Sequence, residues 1–101
     1  MHKLIVSIIR QETLESVISS LRAEQIAFTY SKVKGFCKEV HLYRDDIHDR
    51  IRIEIVAHEN DVARIKDIVM KNACCGMEGD GCLAVYVIEE YIAFNPGGTE
   101  C

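Results

Sequence analysis

The stretch Ile51-Arg52-Ile53-Glu54-Ile55-Val56 decides the fold class of this chain. Apolar and charged side chains alternate along it with a period of two, which predicts a strand with one face on a core. A helical pattern follows, with its apolar stripe at Val62, Ile65, Ile68 and Val69. The continuous apolar run from Leu83 to Ile88 then predicts a buried strand. This half of the chain is therefore predicted to fold as strand, helix, strand.

The first half of the chain repeats the pattern. Leu4 to Ile9 and Ala27 to Phe36 predict strands. Between them, apolar residues recur at helical spacing, at Leu14, Val17, Ile18 and Leu21. Two such units in series predict an α+β fold, the ferredoxin-like βαββαβ sandwich, with two helices on one face of a four-stranded antiparallel sheet. Residues Tyr91 to Phe94 could add a short fifth strand.

Composition restricts the possible partners of the protein. At 101 residues, the chain is predicted to form a single domain over residues 1–101. Hydrophobic residues make up 49% of it, more than so small a domain buries alone, so we expect a homo-oligomer. A net charge of −4 and the lack of a Lys/Arg cluster argue against nucleic acid as a partner.

Apolar runs in the sequence are short. The first, Leu4 to Ile9, is too short for a signal-peptide core, and no run approaches the roughly 20 residues that a membrane span needs. We therefore expect a cytoplasmic protein. Its five cysteines are then expected to be thiols and not a disulfide framework.

The segment from Cys75 to Cys82 holds three of the six glycines and lies between a predicted helix and a predicted strand. Glycine lets backbone amides approach a phosphate or another anion closely. The helix-to-strand order is the reverse of that in a P-loop, which excludes a Walker motif. The segment is either an anion-binding loop or a simple helix stop.

Four short motifs in this sequence resemble the PII signal-transduction family, in the same order. They are Lys3 to Arg10, Val33 to Phe36, Ile53 to Val56 and Gly79 to Gly81. The resemblance implies a homotrimer that binds adenine nucleotides in the clefts between neighbouring subunits. It also implies a T-loop over about residues 37–50 and a B-loop over about residues 75–82.

The resemblance also assigns nucleotide-binding residues. In this assignment Ile8 and Val56 flank the adenine, and the amides of the Gly79 to Gly81 segment meet a phosphate. The full set is Ile8, Thr29, Gly35, Phe36, Cys37, Lys38, Val56, Gly79, Asp80 and Gly81.

Three cations of the family's nucleotide site are missing from this chain, which has Cys82, Ala93 and Asn95 in their places. Each loss removes a charge-assisted hydrogen bond worth roughly 1.5 to 3 kcal/mol. We therefore expect AMP or ADP to bind better than ATP.

The T-loop also departs from the family. It is short, and Glu39 replaces a glutamine that helps the usual family member bind magnesium and 2-oxoglutarate. Its negative charge would repel a dicarboxylate. Lys34, Lys38 and Arg50 stand at or near the two ends of the loop and could hold a smaller anion such as bicarbonate, as in atypical PII-like proteins associated with carboxysomes. The alternative is a set of solvated basic residues at strand ends.

By resemblance, the protein regulates and does not catalyse. A ligand would order the T-loop, and a partner that binds one state of the loop would detect the ligand. The family's partners are commonly membrane transporters or metabolic enzymes. No nucleophile with an orienting base is visible in the sequence, so we expect no enzyme.

The cysteines and histidines support competing hypotheses. Cys75 and Cys82 lie within possible disulfide range across the glycine loop, which would make the nucleotide site redox-sensitive. A transition metal could bind the T-loop, as in CutA-type proteins, through His41, His48, Asp45, Asp46 and Asp49. A polar solvated loop is the alternative, and no zinc-type ligand spacing occurs, so no metal site is assigned.

Overall fold

A computed structural model describes residues 1–36, 47–74, 76 and 80–94. Its strands and helices follow the order of the predicted fold. They are β1 (His2–Arg10), α1 (Leu14–Ala23), β2 (Thr29–Phe36), β3 (Ile47–His58), α2 (Val62–Ala73) and β4 (Gly81–Val87). A 3-10 turn precedes each helix, over Gln11–Thr13 and Glu59–Asp61. The predicted α+β ferredoxin-like fold is confirmed.

The four strands form one antiparallel sheet in the order β2-β3-β1-β4. The two central strands are those with the strongest apolar patterns, and Ile5 lies opposite Ile55 between them. Because side chains alternate along a strand, the register places Ile5, Ile9 and Ile53 on a common face. This face carries the core.

The core lies between that sheet face and the two helices. Its sheet side consists of Ile5, Ile9, Ile51, Ile53, Ile55 and Ala57. Its helix side consists of Val17 and Leu21 from α1 and Ile65, Val69 and Ala73 from α2. Burying one such isoleucine or leucine is worth about 1.5–3 kcal/mol, so this face-to-helix packing holds the fold together.

The opposite face of the sheet carries no helix of the described chain. Val56 and Tyr86 lie on it with 40% and 53% of their surface exposed. Arg52 and Glu54 form an ion pair on the same face, with Nε and Oε1 3.4 Å apart. The apolar area of this face suits a contact with another subunit, and oligomerisation stays a prediction.

Two loop boundaries differ from the sequence-based predictions. Residues 47–50 extend β3 instead of belonging to the T-loop, because Ile47 pairs with Phe36 through backbone bonds that do not depend on side-chain type. Gly81 and Cys82, predicted to lie in the glycine loop, begin β4 for the same reason.

The fifth strand predicted over Tyr91 to Phe94 was wrong. This segment forms no strand with the described part of the sheet. The ring of Tyr91 instead lies against His2, with ring centroids 4.7 Å apart. Ile92 and Phe94 are 65% and 90% exposed, so the apolar pattern of this segment does not reflect burial in a strand of this chain. Of the helices within the described residues, none has the length and apolar character that crossing a membrane requires.

Candidate functional site

The exit of the glycine loop is pressed against β1. Gly81 pairs with Ile9, and Ser7 Oγ donates a hydrogen bond of 2.8 Å to the carbonyl oxygen of Cys82. Gly81 has a φ of +141°, and a Cβ there would clash with the carbonyl oxygen of Ile8. Only glycine fits this position, because other residues add that atom and rarely adopt this φ. The last residues of the loop are therefore fixed in place.

An ion pair ties the loop to the end of β1. Arg10 Nε donates to Asp80 Oδ1 over 3.2 Å, and the two side chains are only 13% and 14% exposed. Thr13 Oγ1 in turn donates to the carbonyl oxygen of Arg10 over 2.9 Å. Because water reaches this pair poorly, its electrostatic attraction is screened less than that of a surface pair.

An apolar pocket of about 320 Å³ opens beside this ion pair, between α2 and the start of β4. Asp80 and Gly81 stand on its rim. Its apolar wall consists of Ile9, Val69, Met70, Ala73, Leu83 and Val85. Ser7, Lys66, Cys74 and Cys82 complete the lining. A small apolar cavity with a few polar groups at one side is typical of a site for a small ligand.

The predicted nucleotide-binding residues do not all reach this pocket. Asp80 and Gly81 line it, but Ile8 belongs to the other sheet face, because neighbours in a strand alternate. Val56 is on that other face too. The residue opposite Ile8 in β3 is Arg52, however, and Val56 lies four residues, or about 13 Å, further along that strand. Ile8 and Val56 of one chain are therefore too far apart to flank one adenine ring.

The remaining residues of this set form two further groups. Thr29 lies opposite Glu54, next to Val56 on the same face. Gly35 lies opposite His48, six residues and about 20 Å further along β2. One chain thus presents three separate groups, and only the contact between subunits implied by the resemblance would bring them together.

The predicted anion-binding residues lie close together. Lys34 and Arg50 line one cavity of about 250 Å³ at the base of the T-loop, together with Gln11, Lys32, Val33 and Asp49. Lys34 Nζ pairs with Asp49 Oδ1 over 3.2 Å in an exposed position. Arg50 is only 5% exposed, and its Nη1 donates to the Asp49 carbonyl oxygen over 3.2 Å. Three cationic side chains and one carboxylate line this cavity, so its lining carries a net positive charge.

Several predictions fall outside the described residues. Cys37, Lys38, Cys75 and Gly79 are among them, as are His41, Asp45 and Asp46 of the metal hypothesis. The pairing of Cys75 with Cys82 therefore stays a prediction, and Cys82 is an exposed free thiol. Across residues 1–36, 47–74, 76 and 80–94, no three His, Cys, Asp or Glu side chains are grouped as metal ligands would be.

Sequence reasoning missed Arg10, Lys32 and Gln11. Lys32 lines the anion-binding cavity because of the strand register, and Gln11 lines it because of the turn after β1. No local motif specifies either feature. Arg10 was visible as the residue directly after the predicted strand Leu4 to Ile9, at the end of the motif Lys3 to Arg10. Its position beside Asp80 depends on the pairing of β1 with β4, which brings together residues 70 positions apart.

Fold and site together define a small α+β protein with an apolar pocket beside its glycine loop, and two comparisons identify its family. The model of the family "Nitrogen regulatory protein P-II" matches residues 2–97. A protein called Nitrogen regulatory protein P-II 2, from Methanothermobacter thermautotrophicus, is similar to it, with 31% identity over 104 residues. The match covers 94% of this chain and 90% of that relative. The chain belongs to the nitrogen regulatory protein P-II family.

This membership confirms the general function predicted from the sequence. Proteins of the family are regulatory signal transducers, so this chain is a regulatory protein and not an enzyme.

Proposed function

We propose that this protein senses an adenine nucleotide, AMP or ADP in preference to ATP, in clefts between the subunits of a homotrimer. The observation that carries the proposal is the apolar pocket beside the glycine loop. Asp80 and Gly81 stand at the rim of this pocket, where backbone amides can meet a phosphate, and an apolar wall large enough for a base lies behind them.

The separation of the predicted residues supports a site between subunits. Ile8 and Val56 lie too far apart in one chain to contact the same adenine. A neighbouring subunit that brings its Thr29 and Val56 to the glycine-loop end of the first would complete the site. The uncovered sheet face, with exposed Val56 and Tyr86, offers the apolar area for such a contact.

A second ligand, a small anion such as bicarbonate, is proposed for the cavity at the base of the T-loop. The positive balance of Lys32, Lys34 and Arg50 over Asp49 supports this assignment. Arg50 is the strongest candidate ligand, because a shielded guanidinium attracts an anion more than an exposed ammonium does. Ligand binding there would order the T-loop for a partner, which we propose to be a membrane transporter or a metabolic enzyme of the cytoplasm.

Calorimetric titration of the reduced protein with AMP, ADP and ATP tests this function, each with bicarbonate and with chloride as the control anion. We expect tighter binding of AMP or ADP than of ATP, and a further gain with bicarbonate. Light scattering during size-exclusion chromatography would give the subunit number, for which we expect three.

A pair of variants would show that the apolar pocket is the site. Val85→Trp should fill the pocket and abolish nucleotide binding, because Val85 lines it and is 42% exposed. Val87→Trp is the matched control, since Val87 lies on the same face of β4, is 68% exposed and is not part of the lining. Equal binding by both variants, or no nucleotide binding by the unmodified protein, would contradict the proposal.

A further inference from the structure

An arginine that no nucleotide-binding motif predicted stands beside the glycine loop. Arg10 ends β1, directly after Ile9, which pairs with Gly81. Its Nε lies 3.2 Å from Asp80 Oδ1, and little of either side chain reaches solvent. The position is close to the loop amides and supplies a positive charge where Cys82 contributes none.

A second guanidinium lies on the neighbouring strand. Arg50 is directly opposite Arg10 in the β1–β3 register, so both belong to the same sheet face as Ile8, and Arg50 is 5% exposed. Arg10 does not line the pocket itself but reaches its edge through Asp80, at the end of the strand. Like charges at opposite positions of neighbouring strands repel each other. A negative charge beside these strand ends offsets that repulsion, and the Asp80 carboxylate supplies one such charge.

A phosphate can replace that carboxylate. The planar guanidinium matches both groups with paired hydrogen bonds, and phosphate usually brings more negative charge and more acceptor oxygens. Arg10 can therefore exchange partners with little movement of its own backbone, which the strand pairing and the Thr13 hydrogen bond hold in place.

We propose that Arg10 is the cation that binds the terminal phosphate of the nucleotide, and that it passes from the Asp80 carboxylate to the phosphate when the nucleotide binds. This inference rests on the proposed nucleotide site. Asp80 is then a positioning residue that holds Arg10 at the site until ligand arrives. Its release links occupancy of the site to the position of the Asp80 side chain.

Titration of adenosine and ADP into four proteins tests the inference: the unmodified protein, Arg10→Gln, Asp80→Asn and Arg64→Gln. Arg10→Gln should weaken ADP binding about 10- to 100-fold and leave adenosine binding unchanged. Asp80→Asn should tighten ADP binding roughly 3- to 10-fold, because it removes the competing carboxylate and keeps the backbone amide. Arg64→Gln is the control for loss of an arginine elsewhere: Arg64 on α2 pairs with Glu24, directly after α1, at 3.0 Å, and its replacement should change the binding of neither ligand.

The opposite changes in ADP affinity that we expect for Arg10→Gln and Asp80→Asn distinguish a role in ligand binding from a role in folding. Arg10→Gln and Asp80→Asn remove the same ion pair, so a purely structural role would weaken ADP binding in both variants, and that result would overturn the inference. Equal ADP affinity in Arg10→Gln and the unmodified protein would overturn the role of Arg10 alone. If the unmodified protein binds neither adenosine nor ADP, the proposed function is wrong, and this inference falls with it.

Discussion

The two ends of the sheet are each closed by an ion pair of the same length but of different surroundings. At the glycine-loop end, Arg10 and Asp80 lie 3.2 Å apart and are 13% and 14% exposed. At the other end, the Met1 ammonium and Glu59 also lie 3.2 Å apart, yet they are 58% and 51% exposed. Solvent screens the second pair more than the first, so distance alone does not measure what an ion pair contributes.

The two ends also depend on different interactions. At the end far from the glycine loop, a backbone hydrogen bond and ring contacts hold the chain together. Glu59 N donates to the Met1 carbonyl oxygen over 2.9 Å, and the His2 ring contacts the rings of both His58 and Tyr91. The glycine-loop end is held by one glycine without room for a side chain and by one shielded ion pair. The glycine-loop end is therefore rigid, charged and partly shielded from water, which favours the binding of a phosphate there.

The largest expected effect is at Gly81. Gly81→Ala should destabilise the protein by about 2–4 kcal/mol, because the new Cβ meets the Ile8 carbonyl oxygen and the φ of +141° becomes strained. Urea unfolding would measure the loss. Gly35→Ala is the control, since its Cβ would meet nothing within 4 Å and should change stability by less than about 1 kcal/mol. Equal losses would mean that the tight approach at Gly81 has no energetic importance.

A double-mutant cycle compares the shielded ion pair with an exposed one. For Arg10→Gln and Asp80→Asn, we expect a coupling free energy of about 1–3 kcal/mol in unfolding, because the pair is partly buried. The same cycle on Arg64 and Glu24, which are 48% and 51% exposed, should give less than about 0.5 kcal/mol. Similar coupling in both cycles would refute the comparison between buried and exposed pairs.

A smaller effect is expected at the far end of the sheet. Tyr91→Ala should cost about 1 kcal/mol, because it removes the ring that lies 4.7 Å from the His2 ring. Thermal unfolding would detect the shift. Tyr91→Phe keeps the ring and should leave stability unchanged, so a loss with Tyr91→Phe would assign the effect to the hydroxyl group instead.

The smallest effect is the pH dependence of the exposed pair. The hydrogen bond from the Met1 ammonium, and then its charge, lower the pKa of Glu59 below the ordinary range of a glutamate. A lowered pKa stabilises the folded state above the unfolded-state pKa, and this stabilisation is lost as the pH falls through the folded-state pKa. Glu59→Gln should therefore reduce stability slightly near neutrality and not in acid.

Denaturant unfolding at a series of pH values would check this prediction. Acetylation of the Met1 amine should have the same effect as Glu59→Gln, because it removes the other partner. A difference between Glu59→Gln and the unmodified protein that persists undiminished in acid would show that the ion pair is not its cause.

Periodicity predicted the helices and strands but not their ends. The alternation in Ile51 to Val56 and the helical stripe through Val62 and Ile65 specify which residues form the core, because burial of one face selects the pattern. Strand ends, in contrast, are extended by backbone pairing. Residues 47–50 joined β3 by pairing with β2 although three of the four are polar, and polarity had suggested a loop.

The sequence alone determined the fold class, the family and the glycine loop, because each depends on local patterns and on motifs that lie within a few residues of one another. Only the tertiary structure decided which side chains meet at the site. Pairing of β1 with β4 brought Arg10 to Asp80, and the same register separated Ile8 from Val56. Contacts between distant residues depend on strand order and register, which are set by the packing of the whole sheet and not by any single segment.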